Sequence, residues 1–158
     1  MNKQHEYKTT IRWTGNLGKG TIDYRSYERS HTINSGNKPL IQASSDPAFR
    51  GDKDKYNPEE LFLSSLSSCH MLWYLHFCAI SGVVVKSYKD TPSGIMEETK
   101  NGGGRFTKVV LNPVIEVEEE SMKEEAMDLH HKANEYCFIA NSCNFKIDHS
   151  PVVNLAVP

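Results

Sequence analysis

The run from Leu61 to Val85 contains no Asp, Glu, Lys or Arg, and no other stretch constrains the fold as tightly. Its length would suffice to cross a bilayer. However, Ser64, Ser65, Ser67, Ser68, His70, His76 and Ser81 interrupt it, and no Lys/Arg asymmetry flanks it, so a central helix buried on most sides is the better expectation. Its ends are marked. Asn57 is a good N-cap, Pro58 suits the first helical position, and Glu59 and Glu60 place negative charge at the helix N-terminus. Gly82 supplies the stop, and Val83 to Val85 begin a strand.

A chain of 158 residues has the size of one domain, so 1–158 is read as a single unit with a core of its own. The formal charge of -2 and pI near 6.4 leave no basic footprint for nucleic acid or an anionic membrane. Met1 to Lys8 is polar throughout and resembles neither a secretory signal nor a transit peptide, which points to the cytoplasm. In that reducing compartment the four cysteines are expected as free or redox-active thiols rather than structural disulfides.

Residues 7–34, rich in β-branched and aromatic side chains and punctuated by Gly15, Gly18 and Gly20, suggest a meander of two or three strands. Residues 35–56 read as one long loop. After the central helix, arms at 83–98 and 105–118 form a hairpin through Asn101 to Gly104. Ser121 and Glu124 have the spacing of a capping box for a second helix. That helix has an apolar stripe of Met122, Ala126, Leu129, Ala133 and Cys137, and residues 145–153 close the chain as a strand. The expected class is α+β, with two antiparallel sheets and two main helices.

Cys69 lies mid-helix, with Phe62, Leu66, Trp73 and His76 at offsets close to whole turns and small serines one turn before it. Taken alone, such a cysteine is a core thiol. No C-x-x-C or H-x-x-x-H pair is present, and Cys69 and Cys78 point to opposite faces, so neither a metal nor a cofactor is expected. His130 reads as a satisfied core or pocket histidine.

The wording around the cysteines adds to this. Tyr56 to Cys69 (YNPEELFLSSLSSC) and Asn134 to Ser142 (NEYCFIANS) resemble the two signature segments of the OsmC/Ohr superfamily, the osmotically inducible and organic hydroperoxide resistance proteins. The variant segments DPAFR (46–50), Cys69-His70-Met71 and GGGRF (102–106) resemble a less characterised branch. The resemblance implies an OsmC-like fold in an intertwined homodimer, and a thiol peroxidase that reduces organic hydroperoxides in oxidative or osmotic stress. By position, Cys69 would be the peroxidatic thiol, Cys137 the resolving thiol, and Glu59 the carboxylate that holds an active-site arginine, with an external dithiol as reductant. Arg29 and Arg50 are the preferred arginines over Arg25, and neither matches the family at the same spacing.

A guanidinium would raise the thiolate fraction and stabilise charge on the peroxide oxygen, and a second thiol would intercept the sulfenic acid before over-oxidation. Glu59 and Cys69 are about 15 Å apart along one helix. An antiparallel partner helix would bring the partner's Glu59 closer, which supports a dimer. Cys143 could compete with Cys137 as disulfide partner, and His70 after the nucleophile departs from the better-known peroxidases. The alternative is a dimeric redox-sensing or ligand-binding protein that uses the same cysteine pocket without turnover, because a fold does not fix a function.

Overall fold

The computed structural model describes residues 3–157 and forms two compact units that meet at Leu61/Phe62 in the chain. In the first unit, β1 (Thr10–Trp13), β2 (His31–Asn34) and β3 (Ile41–Ala43) make an antiparallel sheet in that order. Asn16 starts the β1–β2 connection by accepting the backbone N–H groups of Gly18 and Gly20 on Oδ1, at 2.9 and 3.0 Å. The segment 35–56 is not one loop. It contains β3, paired with β2 from Ile33↔Ile41 to His31↔Ala43, and a 3-10 turn over Pro47–Phe49. A three-residue strand is too short for alternation to reveal it. Asp46 caps the turn by accepting Ala48 N–H at 2.7 Å, and Arg50 leaves it in the left-handed region (φ 64°). Gly51 follows because a Cβ there would sit 1.5 Å from the Ser45 carbonyl oxygen.

Helix α1 spans Pro58–Ser81. Its start is a reciprocal capping box. Glu60 N–H donates to Asn57 Oδ1 at 2.8 Å, and Asn57 N–H donates to Glu60 Oε2 at 3.1 Å. Its end is a Schellman turn, with Gly82 at φ 77° and Val83 N–H donating to Cys78 O at 2.9 Å. Among the described residues, no helix is long and apolar enough to cross a membrane.

The second unit holds the expected hairpin and the second helix. The hairpin's arms divide into β4 (Val85–Asp90) with β5 (Ser93–Glu98), and β6 (Gly104–Leu111) with β7 (Pro113–Val117). After α2 (Lys123–Tyr136) come β8 (Ile147–His149) and β9 (Val152–Leu155). Two three-stranded sheets result, ordered β4-β7-β9 and β5-β6-β8. The α+β class holds, while the pairing departs from two antiparallel sheets. Among the described residues there are three sheets, and β8 and β9 join theirs in parallel. The cause is α2, which carries the chain back to the end from which β6 and β7 started, as a parallel crossover requires. Pro92, Pro113 and Pro151 stand where the strands of one sheet give way to those of the other, each lacking the N–H that a continuous ladder needs.

The helices cover these sheets in two apolar clusters. Tyr74, Phe77 and Cys78 of α1 pack with Ala126, Leu129 and Ala133 of α2, Ile115 and Val117 of β7, and Val153. Leu66 packs with Val109, Leu111 and Ile147. The apolar stripe foreseen for α2 is therefore its buried face, with Met122 partly buried at its edge.

Candidate active site

Cys69 projects from the middle of α1 and is half-buried, while Cys137, the residue at which α2 ends, is 1% exposed. The two side chains adjoin, close enough for the Cys69 thiol to act on that of Cys137. Cys137 also accepts the Ala140 N–H on its sulfur at 3.4 Å. Burial, opposed by that N–H and reinforced by the neighbouring Cys69, pushes the Cys137 thiol up to about 12. Cys137 is thus held protonated at neutral pH, and Cys69 is the member of the pair that opens to solvent.

Cys69 lines a groove of about 410 Å³ with Leu72, Trp73, His76 and Phe138. Two of the four foreseen neighbours, Trp73 and His76, are here. Leu66 is fully buried in the core instead, and Phe62 packs beside it. Leu72 and Phe138, missed from sequence, are 63% and 69% exposed. The Trp73 indole meets Phe138 edge-on at 5.5 Å and His76 at 5.8 Å. The serines before Cys69 are occupied by their own helix, Ser65 Oγ donating to Phe62 O at 2.7 Å and Ser68 Oγ to Ser65 O at 3.3 Å. They leave the thiols as the reactive groups.

The other cysteines lie elsewhere. Cys78 belongs to the core, and burial raises its pKa. Cys143 lines a separate hollow with Phe62, Arg105, Phe106 and Phe145, donates to Ile139 O at 3.4 Å, and is likewise raised by burial.

In the first unit, Arg29 and Arg50 line one polar cavity of about 210 Å³ with Glu28, Ser30, Ser44, Gly51 and Asp52. Arg29 is fully engaged. It donates to Tyr27 O at 2.6 Å and Tyr24 O at 2.8 Å, and its guanidinium lies 4.2 Å from both tyrosine ring centres. The Arg50 guanidinium lies 5.9 Å from the centre of the Tyr24 ring. Glu59 has a buried Oε2 with no hydrogen-bond partner, and among the described residues neither arginine pairs with it. The structure therefore brings together Cys69 with Cys137, and Arg29 with Arg50, but joins Glu59 to neither arginine.

Sequence reasoning missed one further pair. His70 and His130 are both fully buried, with Nε2 of the first 3.0 Å from Nδ1 of the second. Burial lowers His70 to about 4 and His130 to about 3, each reinforced by neighbouring histidines. His130 is a core histidine as expected, but it is satisfied on one side alone, because its Nε2 is buried without a partner. Its partner carried no sequence signal beyond a place on the buried face of α1.

A family described as OsmC-like protein matches residues 51–151. No curated protein matches the chain. Among solved structures, an OsmC-like protein of unknown function from Vibrio cholerae O1 is 31% identical with a TM-score of 0.85, over 94% of this chain and 100% of that one. An organic hydroperoxide resistance protein from Elizabethkingia anophelis is 20% identical with a TM-score of 0.72, over 98% and 100%. The organic hydroperoxide resistance protein OhrB of Bacillus subtilis is 18% identical with a TM-score of 0.64, over 93% and 98%. At those lower identities the likeness is one of fold.

Proposed function

The chain belongs to the OsmC-like protein family, and from that premise we propose that it is a thiol-dependent peroxidase acting on organic hydroperoxides. The observation that carries the reading is the contact between Cys69, half-buried in an apolar groove, and the buried, protonated Cys137. The Cys69 thiolate attacks the outer oxygen of the hydroperoxide, the O–O bond breaks, and the alkoxide leaves as an alcohol once protonated. Cys69 becomes a sulfenic acid. The Cys137 sulfur, giving up its proton, attacks the sulfenic sulfur and expels water to form a disulfide. An external dithiol then reduces it by two thiol–disulfide exchanges.

Leu72, Trp73 and Phe138 provide the apolar surface for the organic part of the substrate. The guanidinium that the chemistry asks for is assigned to Arg50 or Arg29, and its carboxylate support to Glu59, carried over from the family by position. The protein works as a homodimer in the cytoplasm.

The test is turnover. Purified protein with cumene hydroperoxide and excess dithiothreitol should consume peroxide catalytically, and Cys69→Ser should abolish this. A wild-type protein that oxidises once and stops would overturn the peroxidase in favour of a redox sensor.

A further inference from the structure

The mutual geometry of His70 and His130 identifies the contact. Their ring planes lie 6° apart, and the 5.3 Å centroid spacing is what two imidazoles give when set nose to nose along a 3.0 Å N···N line. A metal ion would need about 2.0–2.1 Å from each nitrogen, which that line does not leave. The contact is an in-plane hydrogen bond, with one proton between two neutral rings. Tyr74 stacks on His130 at 3.9 Å, and His149 of β8 lies 5.7 Å from His70 and 6.3 Å from His130.

The bond comes at a cost. Once one proton sits between the rings, the outer nitrogens, His70 Nδ1 and His130 Nε2, retain one N–H and one lone pair. Both atoms are buried without partners, which leaves the desolvation of each polar group uncompensated. Two apolar side chains would avoid it, so the pair is better understood as a source of specificity than of stability.

What it specifies follows from its position. His70 adjoins Cys69, and His130 lies two turns before Cys137 on the same face of α2. The remaining α1–α2 contacts are mostly apolar, such as Phe77 and Trp73 against Tyr136, and apolar contact is non-directional. Tyr74 Oη donates to the Ala126 carbonyl at 3.0 Å, an acceptor that every residue of a helix repeats. A slip of one turn would displace a side chain by about 5.4 Å, far outside the 3.5–4.5 Å Cβ separation typical of a disulfide. We propose that the His70–His130 hydrogen bond is a registry pin that sets α1 against α2 so that Cys69 and Cys137 meet, making both histidines positioning residues for the disulfide step. The proposal rests on the reading above only in using the same thiol pair.

The test therefore omits hydroperoxide. Reduced protein carrying Cys143→Ser is oxidised with diamide; the two thiols lose two electrons and two protons, and diamide becomes the hydrazine. Closure of Cys69–Cys137 is followed by peptide mass spectrometry. In the double variant His70→Leu with His130→Leu, closure should slow by on the order of tenfold or more, with stability equal to or above that of the parent. His70→Gln, which keeps a donor near the Nε2 position, should close within about threefold of the parent, whereas His70→Phe should match the slow double variant. If the double variant fails to fold, the Gln/Phe comparison decides. Equal closure rates for Gln and Phe, or parental closure in a folded double variant, would overturn the pin. Neither result depends on peroxide turnover, so a protein that consumes no hydroperoxide would leave the proposal standing.

Discussion

At the scale of single residues, the two thiols are unequal, and their substitutions should fail differently. Cys137→Ser should still react once with hydroperoxide but accumulate sulfinic acid at Cys69, seen as a gain of two oxygens by mass spectrometry. The arginines are unequal as well. Arg50→Met is expected to lower peroxide turnover by roughly 10²–10³-fold with the melting temperature unchanged, while Arg29→Met, which empties the space between Tyr24 and Tyr27, should mainly lower stability. The opposite pattern would reassign the guanidinium. Below neutrality the buried histidines dominate. In the unfolded chain both titrate near 6.5, whereas in the fold His70 is lowered to about 4 and His130 to about 3. The unfolded state therefore binds more protons across that window. Their stabilisation is complete above about 6.5 and is lost as pH falls toward 4, by up to about 1.4 kcal/mol per pH unit for each ring. His149, also lowered by burial, and the exposed His131 share the cluster. A denaturant midpoint that is flat from pH 7 to 5 would contradict this.

At the scale of elements, α1 was the most legible part of the chain because both of its ends are encoded locally. Asn57→Ala should cost about 1 kcal/mol, a drop of roughly 2–4 °C in Tm, measurable by calorimetry. The second helix was less legible. Ser121 does not cap it. Its hydroxyl donates to Glu119 Oε2 at 3.3 Å while a 3-10 turn over Glu120–Met122 precedes α2. Several rival acceptors in an acidic stretch make the cap ambiguous. The parallel pairing of β8 and β9 was not readable either, since a strand's own pattern does not name its neighbour. The same holds for the site. Cys69 and Cys137 stood out through the wording of their segments, whereas the bond between His70 and His130 joins residues sixty apart in the chain and exists only once the helices pack.

At the scale of the whole molecule, likeness to solved structures extends over 94% of the chain at 31% identity, so the α+β architecture follows from residues spread along its length rather than from one motif. The exposed Leu72, Ile80 and Phe138 fit burial in a second copy. Light scattering should give twice the 17.9 kDa chain mass, and Leu72→Glu with Phe138→Asp should shift the protein toward monomer. The row of Pro92, Pro113 and Pro151 has its own consequence. Isolated bonds bridge it, such as Asn112 N–H to Asp90 Oδ1 at 2.7 Å and Ser150 N–H to Leu111 O at 2.8 Å. Cooperative opening that begins in β5-β6-β8 therefore has little ladder through which to spread into β4-β7-β9. Amide deuteration under native conditions should sort the two into separate exchange classes, making the prolines a firebreak in the protein's unfolding.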